Sequence, residues 1–149
     1  MPDIITNFHS EYDFLSNFYL CPVALDDIDY PSIEHAFQAA KTDNPDERYK
    51  LQIASSPGAA KRLGRRVNLR DDWETVKLNI MLDLLRQKFT RHAEIGQLLL
   101  ATGDAELIEG NTWNDRFWGA VLKDERWIGQ NHLGRLLMQV RAELSENVT

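Results

Sequence analysis

Cys21 is the only cysteine in 149 residues. No intramolecular disulfide is therefore possible, which fits a reducing cytosol. No apolar run approaches the ~20 residues needed to cross a bilayer. The first residues, MPDIITNFHSEYDF, lack the basic-then-apolar order of a secretory signal. The expected setting is cytoplasmic, with no membrane partner. His9, His35, His92 and His132 show no HxxxH spacing, and one cysteine makes no zinc pattern, so no metal is expected. Walker, GxGxxG and GxSxG motifs are all missing. ATP use, dinucleotide-fold chemistry and serine hydrolysis thus lack support, and no cofactor is expected. A net charge of −6 argues against broad, nonspecific nucleic-acid binding.

What is present is enough for one domain with one core. The most informative stretch is YPSIEHAFQAAK, residues 30–41. Pro31 and Ser32 supply a stop and an N-cap for a short helix. Ile33, Ala36, Phe37 and Ala40 fall at i, i+3, i+4 and i+7 and make an apolar stripe. Glu34, Gln38 and Lys41 share the other face. That face is either a solvated surface or the wall of a site. Glu34 and Lys41 lie about 10 Å apart along the axis, too far for a simple ion pair by backbone placement.

Short strands are expected at Ile4–Phe8 and Pro22–Ile28, joined by FLSNFY at 14–19, either a side-chain-stabilised turn or a ligand contact. Pro45 suits the start of a helix from about Asp46 to Ala54, and Ser56-Pro57 the start of another reaching about Arg66. Lys61, Arg62, Arg65, Arg66 and Arg70 place five of seventeen basic residues in one short run of an acidic chain. Such a run is usually a solvated face, but guanidinium groups also grip phosphate oxygens bidentately. Asp71 and Glu74 resemble a capping box opening the longest helix, about Asp72 to Phe89. A helix from about His92 to Ala101 should stop at Gly103. Leu107-Ile108 and Phe117–Leu122 read as strands around the loop GNTWND. Its acids and amides, interleaved with Trp113 and Trp118, suit either a sugar or base pocket or a hairpin closing the core edge. The last helix begins after Gly129, capped by Asn131, with Leu133, Leu136, Leu137, Val140 and Leu144 on one face.

Carboxylates beside a sugar stabilise an oxocarbenium-like transition state or activate water, and a desolvated lysine attacks an opened ribose aldehyde. The residues permit this chemistry without requiring it. The ordered blocks are FLSNFY, YPSIEHAFQAAK, AAKRLGRRV at 59–67 and a Trp73-led helix running to KF at 88–89. Asp115 with FWG at 117–119 and GQNHLGRLLMQVR at 129–141 follow. Together they resemble the YbiA-like, or NADAR (NAD and ADP-ribose), family across nearly the whole chain. The resemblance implies a mainly α (α+β) fold. It would be a single compact domain, residues 1–149, of some half-dozen helices with a few short strands. It also implies N-glycosidase activity.

Characterised relatives are linked to hydrolysis of phosphoribosylamino-pyrimidine intermediates of riboflavin synthesis, releasing ribose 5-phosphate. Other branches are linked to removing ADP-ribose from guanine in nucleic acid. A non-catalytic ADP-ribose or nucleotide binder is the remaining alternative. Carried over by position, the catalytic candidates are Glu34, Asp115 and, for Schiff-base chemistry, Lys41. The substrate-binding candidates are Asn17, Phe18, His35, Gln38, Arg65, Trp73, Trp118 and Gly119. Trp113 and Glu109 are matched only loosely.

Overall fold

The computed structural model describes residues 2–148. The chain forms two compact units, one from Asn17 to His92 and one from the residues up to Ser16 with those from Ala93 onward. Helix dominates and the strands are short, so the mainly α expectation holds. Among the described residues no helix is long and apolar enough to cross a membrane.

Strand β1 is Ile4–Ile5, and the Asn17–His92 unit opens with an antiparallel hairpin. Strands β2 (Leu20–Leu25) and β3 (Ile28–Ser32) pair Val23 with Tyr30 and Leu25 with Ile28, across a turn in which Asp26 and Asp27 take positive φ. The strand expected over 22–28 thus straddles this turn, because Asp at both central positions was not read as a turn signal. Helix α1 (Ile33–Ala40) follows at once. Ser32 is its N-cap, and its hydroxyl oxygen accepts the His35 N–H. The Asn17 carbonyl accepts the Glu34 N–H at 3.1 Å, so two of the four orphan donors of the first turn are satisfied.

Helices α2 (Pro45–Gln52) and α3 (Pro57–Gly64) each start at a proline behind an Asn or Ser cap. The long α4 (Trp73–Arg91) buries Trp73, Met81, Leu84, Leu85 and Phe89. The capping box expected at its start does not form. Asp72 holds the cap position without a side-chain cap, because its carboxylate pairs with Arg70 at 2.6 Å, and Glu74 pairs with Lys77 instead. All of β2, β3, α2, α3 and α4 pack on α1, which is why every one of its eight residues is buried. An amphipathic pattern read from sequence thus became a helix enclosed on both faces.

In the other unit, β1 pairs in parallel with β4 (Glu106–Leu107). Helix α5 (Ala93–Ala101) ends at Gly103, whose φ of 64° is the expected left-handed stop. Strands β5 (Val121–Lys123) and β6 (Arg126–Ile128) form a hairpin turned by Asp124 and Glu125, both at positive φ. The strand expected over 117–122 is therefore confined to its last part. Helix α6 (His132–Val148) buries Leu133, Leu137 and Val140. Its Gly134 sits so close to β4 that an added Cβ would lie 2.0 Å from the Leu107 carbonyl oxygen.

Asn131 is not the side-chain cap expected. Its carbonyl takes the first helical bond, from Arg135, but its side chain accepts from Glu109 N–H and donates to the Leu107 carbonyl. Positive φ (51°) turns it back onto the strand.

Candidate functional site

Within the Asn17–His92 unit, the polar face of α1 carries the chemistry. Glu34 is 7% exposed and Gln38 5% exposed, so this face is not solvated. Residues four apart on a helix are neighbours, and the Gln38 amide nitrogen donates to Glu34 Oε1 at 2.8 Å. The Gln38 oxygen is buried and meets no donor among the described residues, as is the Asn17 side-chain oxygen. Asn17 uses its side-chain nitrogen on the Met81 sulfur, 3.7 Å away.

Lys41 caps the C-terminus of α1 and is half-buried. Burial holds its ammonium below the usual lysine range. The Glu34 carboxylate opposes that shift, while the nearby Arg65 and Lys61 cations add to it. A neutral amine is the nucleophilic form. Arg62, Arg65 and Arg66 are exposed around the end of α3, and of the cations there Arg65 and Lys61 are near enough to act on Lys41 by charge. Arg70 is differently used: it pairs with Asp72, and its backbone N–H donates to the Lys41 carbonyl at 2.7 Å.

In the other unit, the loop before β5 is built around Asn111. Its side-chain nitrogen donates to the Asp115 carbonyl at 2.9 Å, and its oxygen accepts the Asp115 N–H at 2.9 Å. Asp115 in turn accepts the N–H groups of Phe117 and Trp118 at Oδ1, at 3.1 and 3.0 Å. Those bonds fix one of its oxygens. Phe117, Trp118 and His132 cluster, with ring centroids 4.9 Å apart for the first pair and 4.5 Å for Phe117–His132. At Gly119 an added Cβ would fall 2.1 Å from the Glu109 carbonyl oxygen, so a side chain there would break the loop's closure.

A family model described as the NADAR domain matches residues 6–145. The chain belongs to the NADAR family. It is 43% identical to N-glycosidase YbiA of Escherichia coli (strain K12), over 97% of this chain and 91% of that protein. It is 37% identical to an N-glycosidase of Nostoc punctiforme, over 89% of this chain and 86% of that one. It is also 38% identical to a riboflavin biosynthesis protein of Vibrio vulnificus, over 91% of this chain but 36% of the longer relative. The NMR structure of E. coli YbiA superposes with a TM-score of 0.82 at 41% identity, covering 99% of this chain and 89% of that one.

Set on this NADAR fold, the residues singled out from sequence divide by surroundings. Glu34, Gln38, Lys41 and Asn17 lie on or beside α1, with Arg65 close enough to act on Lys41 by charge. Phe18 is exposed, at 42%. His35 is 1% exposed with both ring nitrogens occupied: Ser32 Oγ lies 2.8 Å from Nδ1, and Nε2 donates to the Ala54 carbonyl at 3.1 Å. A carbonyl only accepts, which fixes the proton on Nε2 in the neutral ring. Trp73 is buried against Phe37, with ring centroids 5.0 Å apart. Asp115, Trp118 and Gly119 belong to the Asn111-centred loop.

Sequence reasoning gave no role of their own to Gly64 or Lys88 and read Asn111 only as one of the loop's amides, not as the residue that holds Asp115. Lys88 is fully buried, its amine 5.4 Å from the Tyr19 ring centre and 5.3 Å from that of Phe89. The signals were a glycine inside AAKRLGRRV, a loop asparagine, and a lysine on the apolar face of α4.

Proposed function

We propose that the chain, as an N-glycosidase, hydrolyses the ribose C1–N bond of phosphoribosylamino-pyrimidine intermediates of riboflavin synthesis and releases ribose 5-phosphate. Residues 1–149 act as one NADAR domain in this reading. The observation that carries it is the α1 face. A buried, amide-held carboxylate shares a short helix with a half-buried lysine whose ammonium is disfavoured by burial, and exposed guanidinium groups stand around the end of the neighbouring α3. The names of the relatives, N-glycosidase and riboflavin biosynthesis protein, support the same chemistry.

Water adds across the C1–N bond. Glu34 takes a proton from the attacking water, whose oxygen bonds to C1 as the C1–N bond breaks, and gives that proton up to the departing amine nitrogen. Arg65, with Lys61 and Arg62, holds the 5′-phosphate through charge-assisted bonds. On the family resemblance Asp115 is a catalytic carboxylate and Trp118 a substrate-binding residue, while beside α1 Phe18 offers an aromatic face and Asn17 an acceptor for a hydroxyl. In the alternative route Lys41 takes the place of water: its deprotonated nitrogen bonds to C1 of the opened sugar as the pyrimidine amine leaves, and water then hydrolyses the Schiff base to free ribose 5-phosphate and regenerate the lysine. Removing a general base commonly costs about 10²- to 10⁴-fold in rate. Glu34→Gln and Asp115→Asn should each lower turnover by at least ~100-fold on that scale. Both variants folded and turning over at the wild-type rate would overturn the assignment.

A second reading has its own observation, the exposed cations Arg62, Arg65 and Arg66. They also suit the backbone of an ADP-ribosylated nucleic acid, from whose guanine the same bond cleavage would remove ADP-ribose.

A further inference from the structure

We propose that Gln38 is the positioning residue for the Glu34 carboxylate, and that Gly64 on α3 is glycine because the Gln38 amide occupies the space of a side chain. The inference rests on Glu34 acting as proposed above. Its observations are local. The Gln38 nitrogen donates to Glu34 Oε1 at 2.8 Å inside the protein, and the amide cannot be reversed without turning its oxygen onto a carboxylate oxygen. With the nitrogen so placed, the oxygen lies against α3. A Cβ on Gly64 would come within 1.9 Å of Gln38 Oε1, 2.6 Å of its Cδ and 3.0 Å of its Cβ.

Gly64 itself has no positive φ, so its backbone conformation does not call for glycine. The space does. Gln38 is 5% exposed, with Gly64 on one side and Glu34 on the other. Its role therefore shifts from touching substrate, the expectation from sequence, to holding the group that does. A carboxylate released from that hold would swing among rotamers, and a displacement of about 1 Å at a reacting group costs on the order of 100-fold.

Variants at Gln38, Gly64 and Glu34 test this on the phosphoribosylamino-pyrimidine substrate. Gln38→Met fills nearly the same volume without a donor. It should keep the thermal midpoint and KM near wild type while kcat falls on the order of 10- to 100-fold. Gly64→Ala should lose kcat similarly by pushing the amide away. Combined with Gln38→Ala, which removes the Cδ and oxygen that the new methyl meets and leaves only the Cβ 3.0 Å away, it should cost little more than Gln38→Ala alone. Wild-type kcat in folded Gln38→Met would overturn the inference, as would multiplying effects in the double variant. If Gly64→Ala does not fold, Gln38→Met decides alone. Glu34→Gln separates the two levels. Full activity there removes the site reading itself, whereas an inactive Glu34→Gln beside a fully active Gln38→Met removes only the positioning role.

Discussion

At the scale of single residues, Lys41 shows how burial and charge compete. Desolvation is the largest effect and lowers its affinity for a proton, Glu34 works against it, and Arg65 and Lys61 work with it. In the unfolded chain the amine returns to the ordinary value of 10.5. Between the lowered value and 10.5 the unfolded state binds more protons than the folded one, so stability rises with pH through that window. Below it, the buried ammonium is a constant cost. Lys41→Met should therefore flatten the alkaline rise in a series of urea unfolding curves. An unchanged slope would mean that the amine is not held below its usual range. Asp29 shows the opposite sign: the Arg91 guanidinium bonds both carboxylate oxygens at 2.9 Å and lowers its pKa. That contribution is lost as pH falls through the lowered value, and full exposure keeps it small.

At the scale of elements, the clearest case is the seam between β4 and α6. Asn131 is buried and bonds both Glu109 N–H and the Leu107 carbonyl. Asn131→Ala strands two backbone groups and should cost about 2–6 kcal/mol, given ~1–3 kcal/mol for each buried group left unsatisfied. Unfolding in urea measures it, and a loss well under ~1 kcal/mol would mean that water replaces both bonds.

The same seam marks where sequence was legible. Helix α1 was, because Ser32, the apolar stripe and the polar residues at i, i+4 and i+7 are local signals, and the caps of α2 and α3 are equally local. Asn131 was not, because the choice between capping α6 and stitching β4 depends on a strand far away in sequence. The β5–β6 hairpin was missed because Asp124-Glu125 adopts the positive φ that Asn-Gly advertises, without the glycine. The burial of Glu34 and Gln38 was equally non-local. It takes packing elements on both sides of α1 to bury a polar face that the pattern alone leaves open to water.

At the scale of the whole molecule, family membership and a TM-score of 0.82 along 99% of the chain set the fold and frame the chemistry. Charge bears on the substrate. A net −6 repels a polyanion at long range, while the cations at 61–70 attract phosphate locally. A substrate carrying one phosphate uses only the local field. An oligonucleotide feels both, and its binding should weaken steeply with salt. This balance favours the small phosphoribosyl amine.

The decisive measurement offers purified protein the phosphoribosylamino-pyrimidine and, separately, an oligonucleotide bearing ADP-ribosylated guanine, and follows release of the amine or base. The expected result is faster release of ribose 5-phosphate and free amine from the small substrate, abolished in Glu34→Gln. Turnover of the oligonucleotide alone would contradict the account, and so would binding of either without bond cleavage.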